Sequence, residues 1–221
     1  YLDSSFNGDD LLRTRIRTGN FTADQPFAGG NTIENPATLE AASTGGGGTA
    51  NVLAVDRAYY QFPVGESLTA TVGALVRQDD MLGVWPSSYP SDSVLDVLTY
   101  AGANAAYNLS VGAGAGITYA NDQFSASLLL VSESAHRANN DTSVLKGGGV
   151  ATEAGSDDVT GQIAWLGDNF TLAAAYTTSD GGNQEVGGVK PANSEDFDAW
   201  GLSGSYDFDN GISLNAGFGW K

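Results

Sequence analysis

Few folds accommodate the stretch Asp10-Leu11-Leu12-Arg13-Thr14-Arg15-Ile16-Arg17-Thr18-Gly19-Asn20-Phe21. At helical spacing, Arg13 and Arg17 would share a face with Leu12 and Ile16 close by, which suits neither a core nor a surface. At a period of two the residues separate. Arg13, Arg15 and Arg17 fall on one side, and Leu12, Thr14, Ile16 and Thr18 on the other. Alternate residues of a strand lie roughly 6.8 Å apart along it, so the three guanidiniums form a ladder. In a soluble sandwich that ladder faces open water; in a barrel it faces an enclosed lumen.

The rest of the chain bears on the choice. No run of eighteen apolar residues occurs in its 221 positions, so a transmembrane helix is not expected. A barrel strand shows only alternate residues to lipid and leaves a much weaker hydropathy signal. Glycine is abundant (30) and proline scarce (6). The net charge is −17, which argues against nucleic acid, a partner that requires a basic face. The arginines Arg13, Arg15, Arg17, Arg57 and Arg77 all lie in the first eighty residues, within candidate strands, whereas most acids sit in turns and loops. Without cysteine, neither a disulfide framework nor a thiolate metal site is possible.

Alternation predicts strands over 51–62, 67–78, 110–119, 123–132, 158–166, 170–179, 197–208 and 212–221, with a weak candidate at 100–107. In 67–78, Leu68, Ala70, Val72, Ala74 and Val76 are expected on one face, against Thr69, Thr71 and Arg77. The tight connections read as turns, most clearly Asp209-Asn210-Gly211. Between them come long loops near 22–50, 79–97, 133–157 and 180–196. Aromatics stand beside the tight turns: Phe62, Tyr119 with Phe124, Trp165 with Phe170, and Tyr206 with Phe208. Short turns on one side, long loops on the other and an aromatic belt are what an outer-membrane barrel requires. The competing expectation is a secreted β-sandwich that binds glycans or adheres to surfaces.

Two stretches, YLDSSFNGDDLLRTRIRTGNF and NVLAVDRAYYQFPVGESLTATVG, resemble the cyanobacterial branch of the carbohydrate-selective (OprB-like) porins, some of which are described as iron uptake porins. The match covers the first third; the remainder resembles the family in hairpin rhythm and in its Gly- and Ala-rich strands. The resemblance implies an antiparallel transmembrane β-barrel of porin type in the bacterial outer membrane, assembled as a homotrimer. It implies passive diffusion of small hydrophilic solutes (sugars, inorganic ions, iron species), without a cofactor or enzymatic chemistry. Family barrels have more strands, about sixteen, and usually carry an N-terminal wall-binding domain that this sequence lacks. Residues 1–221 are therefore expected to form one porin domain, a partial chain of a larger barrel. Ala113, Ala115, Gly161 and Gly201, expected to point outward, are candidates for packing between protomers.

The candidate pore-lining residues are Arg13, Arg15, Arg17, Arg57 and Arg77, which either set a field for solutes in transit or brace the barrel by pairing with acids. Asp56 and Arg57 are adjacent, so strict alternation sends one of them into lipid, at about 2–4 kcal/mol. A bulge, a place near the rim, or a subunit interface each removes that conflict. The loop from Asp79 to Val97 is a candidate constriction loop whose acids Asp79, Asp80, Asp92 and Asp96 face the ladder across the lumen; an ordinary exterior loop is the other reading. His136 is the only histidine and lies in a loop, so a Ser-His-Asp arrangement has no support. Gly112-Ala113-Gly114-Ala115-Gly116 falls within a strand and is no dinucleotide fingerprint.

Overall fold

The structure, a computed structural model, describes residues 1–20, 50–91, 96–137, 148–152, 154–181, 196–208 and 210–221. It is all-β. Ten strands make one antiparallel meander: β1 (Leu2–Ser4), β2 (Leu11–Arg17), β3 (Ala54–Val64), β4 (Leu68–Arg77), β5 (Val111–Ala120), β6 (Phe124–Ser132), β7 (Asp157–Leu166), β8 (Phe170–Asp180), β9 (Phe197–Asp207) and β10 (Ser213–Trp220). Each strand pairs with its neighbours in sequence. The sheet is open: among the described residues β1 pairs only with β2, and β10 only with β9. No described helix is long and apolar enough to cross a membrane; α1 (Asp96–Thr99) and the 3-10 turn Gln78–Met81 have four residues each.

Connections alternate in length as the turn chemistry predicts. Those after β1, β3, β5, β7 and β9 are tight, while those after β2, β4, β6 and β8 span 18–53, 78–110, 133–156 and 181–196. Ring contacts form beside the tight turns: Tyr119 with Phe124 (6.4 Å), Trp165 with Phe170 (5.5 Å) and Tyr206 with Phe208 (4.8 Å). At the next turn Phe62 stacks on Tyr60 at 5.4 Å. A second aromatic group, Tyr176, Trp200 and Trp220, lies nearer the long connections. Trp200 and Tyr206 are six residues apart on β9, roughly 20 Å along the strand.

The two faces of the sheet differ sharply. On β7, Thr160, Gln162 and Ala164 are buried, while Val159, Ile163 and Trp165 are exposed. On β8, Ala173, Ala175 and Thr177 are buried and Leu172 is exposed; β9 buries Ala199 and Ser203 and exposes Trp200 and Leu202. The covered, inner face is thus small and polar, and the open, outer face is large and apolar. A water-soluble sheet has the opposite arrangement.

The inner face is covered by the 78–110 connection, which turns back over β5–β10. The same glycines that weaken strand propensity make room for it. A Cβ on Gly219 would come within 2.7 Å of Ala103 Cα, and one on Gly201 within 2.8 Å of Ala103 Cβ. Gly201 therefore faces inward, against the expectation that it marks a protomer contact. Gly161 does face outward, with nothing within 4 Å of the place a Cβ would take.

Three further expectations are corrected. The strand expected to begin at residue 51 begins at Ala54, after a turn through Asn51. Residues 100–107 form turns rather than a strand, which lets them pack on the wall. Val76 lies on the inner side, fully buried with Met81, Leu129 and Val131, because β4 carries an extra residue between Gly73 and Val76 relative to β5. A bulge of this kind reverses the facing of everything after it.

Candidate functional site

Strands β1–β4 build a wall of guanidiniums and carboxylates on the inner face. Arg13, Arg15 and Arg17 project inward from β2 because Leu12 and Ile16, 36% and 43% exposed, take the outer side. Arg13 makes a fork with Asp3 of β1, Nε to Oδ1 at 2.9 Å and Nη2 to Oδ2 at 2.8 Å, and reaches the Tyr59 hydroxyl at 3.4 Å. Arg15 Nε lies 2.7 Å from Asp56 Oδ2, and its Nη1 donates to the Tyr1 hydroxyl at 3.2 Å. The Tyr1 ring rests 4.9 Å from Arg13 Cζ and 5.6 Å from Arg15 Cζ, a cation–π arrangement. Arg17 ends the row, opposite Ala54.

Between Arg15 and Ile16 the register with β3 slips, since Arg15 faces Arg57 but Ile16 faces Val55. Asp56 is the extra residue. This bulge answers the question left by the adjacent charges: neither Asp56 nor Arg57 goes to the outer face. Asp56 Oδ2 sits between Arg15 Nε and Arg57 Nη1, the latter at 3.2 Å. Arg57 also donates through Nε to Asp80 Oδ2 at 2.8 Å. Arg77, after the second bulge, grips Asp79 through two bonds of 2.5 Å. Arg57 and Arg77 are buried at 2% and 3% exposure, so they stand behind the wall surface instead of lining it. Ion pairs so removed from water demand good geometry, because desolvation offsets much of the attraction.

The 78–110 connection starts and closes at one place, where Gln78 N–H donates to Ser110 O at 3.0 Å. The Gln78 amide, wholly buried, donates to Thr160 Oγ1 at 2.7 Å and Ala106 O at 3.0 Å and accepts from Leu109 N–H at 3.2 Å. Gln162 donates to Val84 O at 2.9 Å and to the Tyr107 hydroxyl at 3.0 Å. Thr118 donates to Met81 O, Ser127 accepts from Gly83 N–H, and Asn215 accepts from both Ser88 N–H and its hydroxyl. Tyr100, Ala103, Ala106, Tyr107 and Leu109 form an apolar cluster with Ala175 and Ala199 of the wall, and Trp85 packs against it. Burial pushes the Tyr107 phenol above its ordinary value.

Of the constriction-loop acids, Asp79 and Asp80 touch arginines directly and do not face them across a gap. Asp80 has its carboxyl raised, chiefly by burial and then by the neighbouring Asp79 carboxylate, against the pull of Arg57. Asp92 and the side chain of Asp96 lie outside the described residues. Sequence reasoning did not reach Asp3, Tyr1, Tyr59 or Gln78. A three-residue strand leaves no periodic signal, and a lone glutamine after Arg77 gives none.

Among the described residues no group of three or more His, Asp or Glu is placed to hold a metal ion. A hollow of about 160 Å³ opens on the inner side between Trp85, Ser87, Ser88, Thr171, Ser203 and Ser205. On the outer face a groove of about 460 Å³ runs over Gly161, between Leu128, Ile163, Tyr176 and Trp200. The arrangement provides ordered, paired charge on the inner face of the sheet. No protein-family model matches the chain, and no curated protein matches it.

Proposed function

We propose that this chain contributes the wall of an outer-membrane diffusion channel, of the kind represented by the OprB-like porins, passing small hydrophilic solutes passively. The observation that carries the reading is the inversion of the sheet: Leu128, Ile163, Trp165 and Phe218 are all more than half exposed, while Thr160, Thr177, Gln78 and Arg57 are buried. Hydrocarbon is the solvent that suits such an exterior. Tight turns at one end, long connections at the other and aromatic groups near both ends support the same orientation across a bilayer. The 78–110 connection acts in this reading as the inturned segment that narrows the passage. In hydrocarbon the free edges of β1 and β10 require partners, since unpaired backbone groups there cost several kcal/mol each (about 2–7). Further strands or neighbouring copies in a homotrimer supply them.

The test is partition and conductance. A channel wall enters detergent or bilayers, shifts mobility when heated in SDS, and gives discrete current steps in planar membranes. A protein that stays monomeric in plain buffer and carries no current is a secreted β-sandwich instead, and a heat-shifted band without current marks a plugged structural barrel.

A further inference from the structure

A ladder of arginines suggests a passage that favours anions. The exposures of the paired side chains say otherwise. In each of the five described ion pairs the carboxylate is the more exposed member. Asp3 is 40% exposed against 31% for Arg13, and Asp56 is 25% exposed against 11% for Arg15 and 2% for Arg57. Asp80 is 17% exposed against 2% for Arg57, and Asp79 is 12% exposed against 4% for Arg77. The cause is geometric. The Arg13 and Arg15 guanidiniums pack on the Tyr1 ring, and Arg13 also meets the Tyr59 hydroxyl. The shorter aspartates enter from β1, from the β3 bulge and from the start of the 78–110 connection, and keep more of their surface open.

We propose, on the channel reading above, that this wall presents carboxylate to the passage and so favours small hydrated cations over anions. An ion beside the wall meets the nearer charge first. A carboxylate more exposed than its guanidinium partner leaves an uncompensated field, which low-dielectric walls focus into the passage. Rings of Asp and Glu give cation preference by the same means. The net charge of −17 adds to this by concentrating cations at the entrances, in a salt-dependent way.

The experiment measures the K⁺/Cl⁻ permeability ratio from reversal potentials under a KCl gradient in planar bilayers. It uses the unaltered chain, the Asp3→Asn/Asp56→Asn variant and the Arg13→Gln/Arg15→Gln variant. The expected ratio is above one in the unaltered protein. It falls to one or below when the two acids are neutralised, and rises when the two arginines are. An unaltered channel that prefers chloride, or a ratio that ignores the acid variant, overturns the proposal and leaves the channel reading intact. Absence of any current in the unaltered protein overturns the channel reading itself. Because Asp56 is partly buried, Asp3→Asn alone serves as the second variant: it removes the most exposed carboxylate of the described pairs, and the ratio must still fall.

Discussion

Asp56 and Arg57, consecutive in the chain, both turn to the inner face of the sheet, and Asp56 Oδ2 lies 3.2 Å from Arg57 Nη1. Only a bulge permits this, because strand geometry otherwise sends neighbours to opposite sides. The bulge places one carboxylate between two arginines of different strands, and it leaves Arg57 free to hold Asp80 as well.

Arg57 thus ties β3 to the start of the 78–110 connection. Replacing it with alanine leaves Asp80 without its bonded guanidinium in a poorly hydrated place, while Asp56 keeps Arg15. Breaking a buried pair from one side costs about 3–5 kcal/mol. The expected result is a large fall in the temperature of the heat-induced SDS-gel shift. Asp80→Asn in the same background recovers part of it.

Of the three partners of the Gln78 amide, Thr160 Oγ1 and Ala106 O also bond Thr177 Oγ1, so Leu109 N–H depends on it most. Gln78→Leu keeps the volume and leaves Leu109 N–H without its acceptor, at about 1–3 kcal/mol. Limited proteolysis should then cut within 78–110 while the strands stay intact. An unchanged cleavage pattern would show that the apolar cluster alone seats the segment.

The outer face gives a sharp comparison. Leu128→Arg places a charge where 58% of the leucine is exposed. In water a substitution at such a site changes stability by about 0.5 kcal/mol or less, but facing lipid near the midplane it costs about 2–4 kcal/mol. Refolding yield into vesicles, measured against the inner-face change Ser125→Ala, separates the two cases.

Gly73 opposes Tyr59 at the second bulge, and a Cβ there would sit 2.5 Å from Tyr59 Cβ and 2.8 Å from Ala58 O. Both neighbours belong to β3 close to its backbone and have little room to yield. Gly73→Ala should cost about 1–3 kcal/mol through overpacking, read as a lower unfolding temperature.

Acid acts on the β1–β2 turn. Asp10, outside the strands, accepts from the Ser5 hydroxyl at 2.5 Å, from Asn7 and Phe6 N–H and from the Tyr60 hydroxyl. These donors, Ser5 foremost, hold its carboxyl well below the ordinary aspartate value. A depressed acid lends its stabilisation above the unfolded value, about 3.9, and loses it as pH falls from there through the folded one. The shift temperature should therefore drop on acidification below that point. Asp10→Asn should start lower and respond less to pH.

Most of the sheet is legible from alternation. The paired runs around 158–166 and 170–179 read correctly because the inner side of each is small or polar, and 123–132 does so at Ser125 and Ser127, before Leu129 and Val131 join the inner side. What escaped has a common cause: a shift of one residue. The bulges at Asp56 and before Val76 leave composition unchanged while reversing later side chains, so alternation assigns Val76 to the apolar outer row when it lies buried inside; Arg77, also buried, is the last residue of β4, where the chain turns into 78–81. The acids of the wall were legible as charges but not as partners. Asp3 stands on a strand too short to announce itself, and Asp80 reaches Arg57 only because the connection folds inward.

The inturned segment also fixes an order of events during synthesis. It is made between β4 and β5, yet its seats are on later strands: Ser88 waits for Asn215, 127 residues further along, and Ala103 for the glycines of β10. A nascent chain halted after β8 would hold the segment with half of its cradle absent, leaving Tyr100 and Trp85 for chaperones to cover. Full seating of this segment is consequently a late step, committed only when the final hairpin arrives.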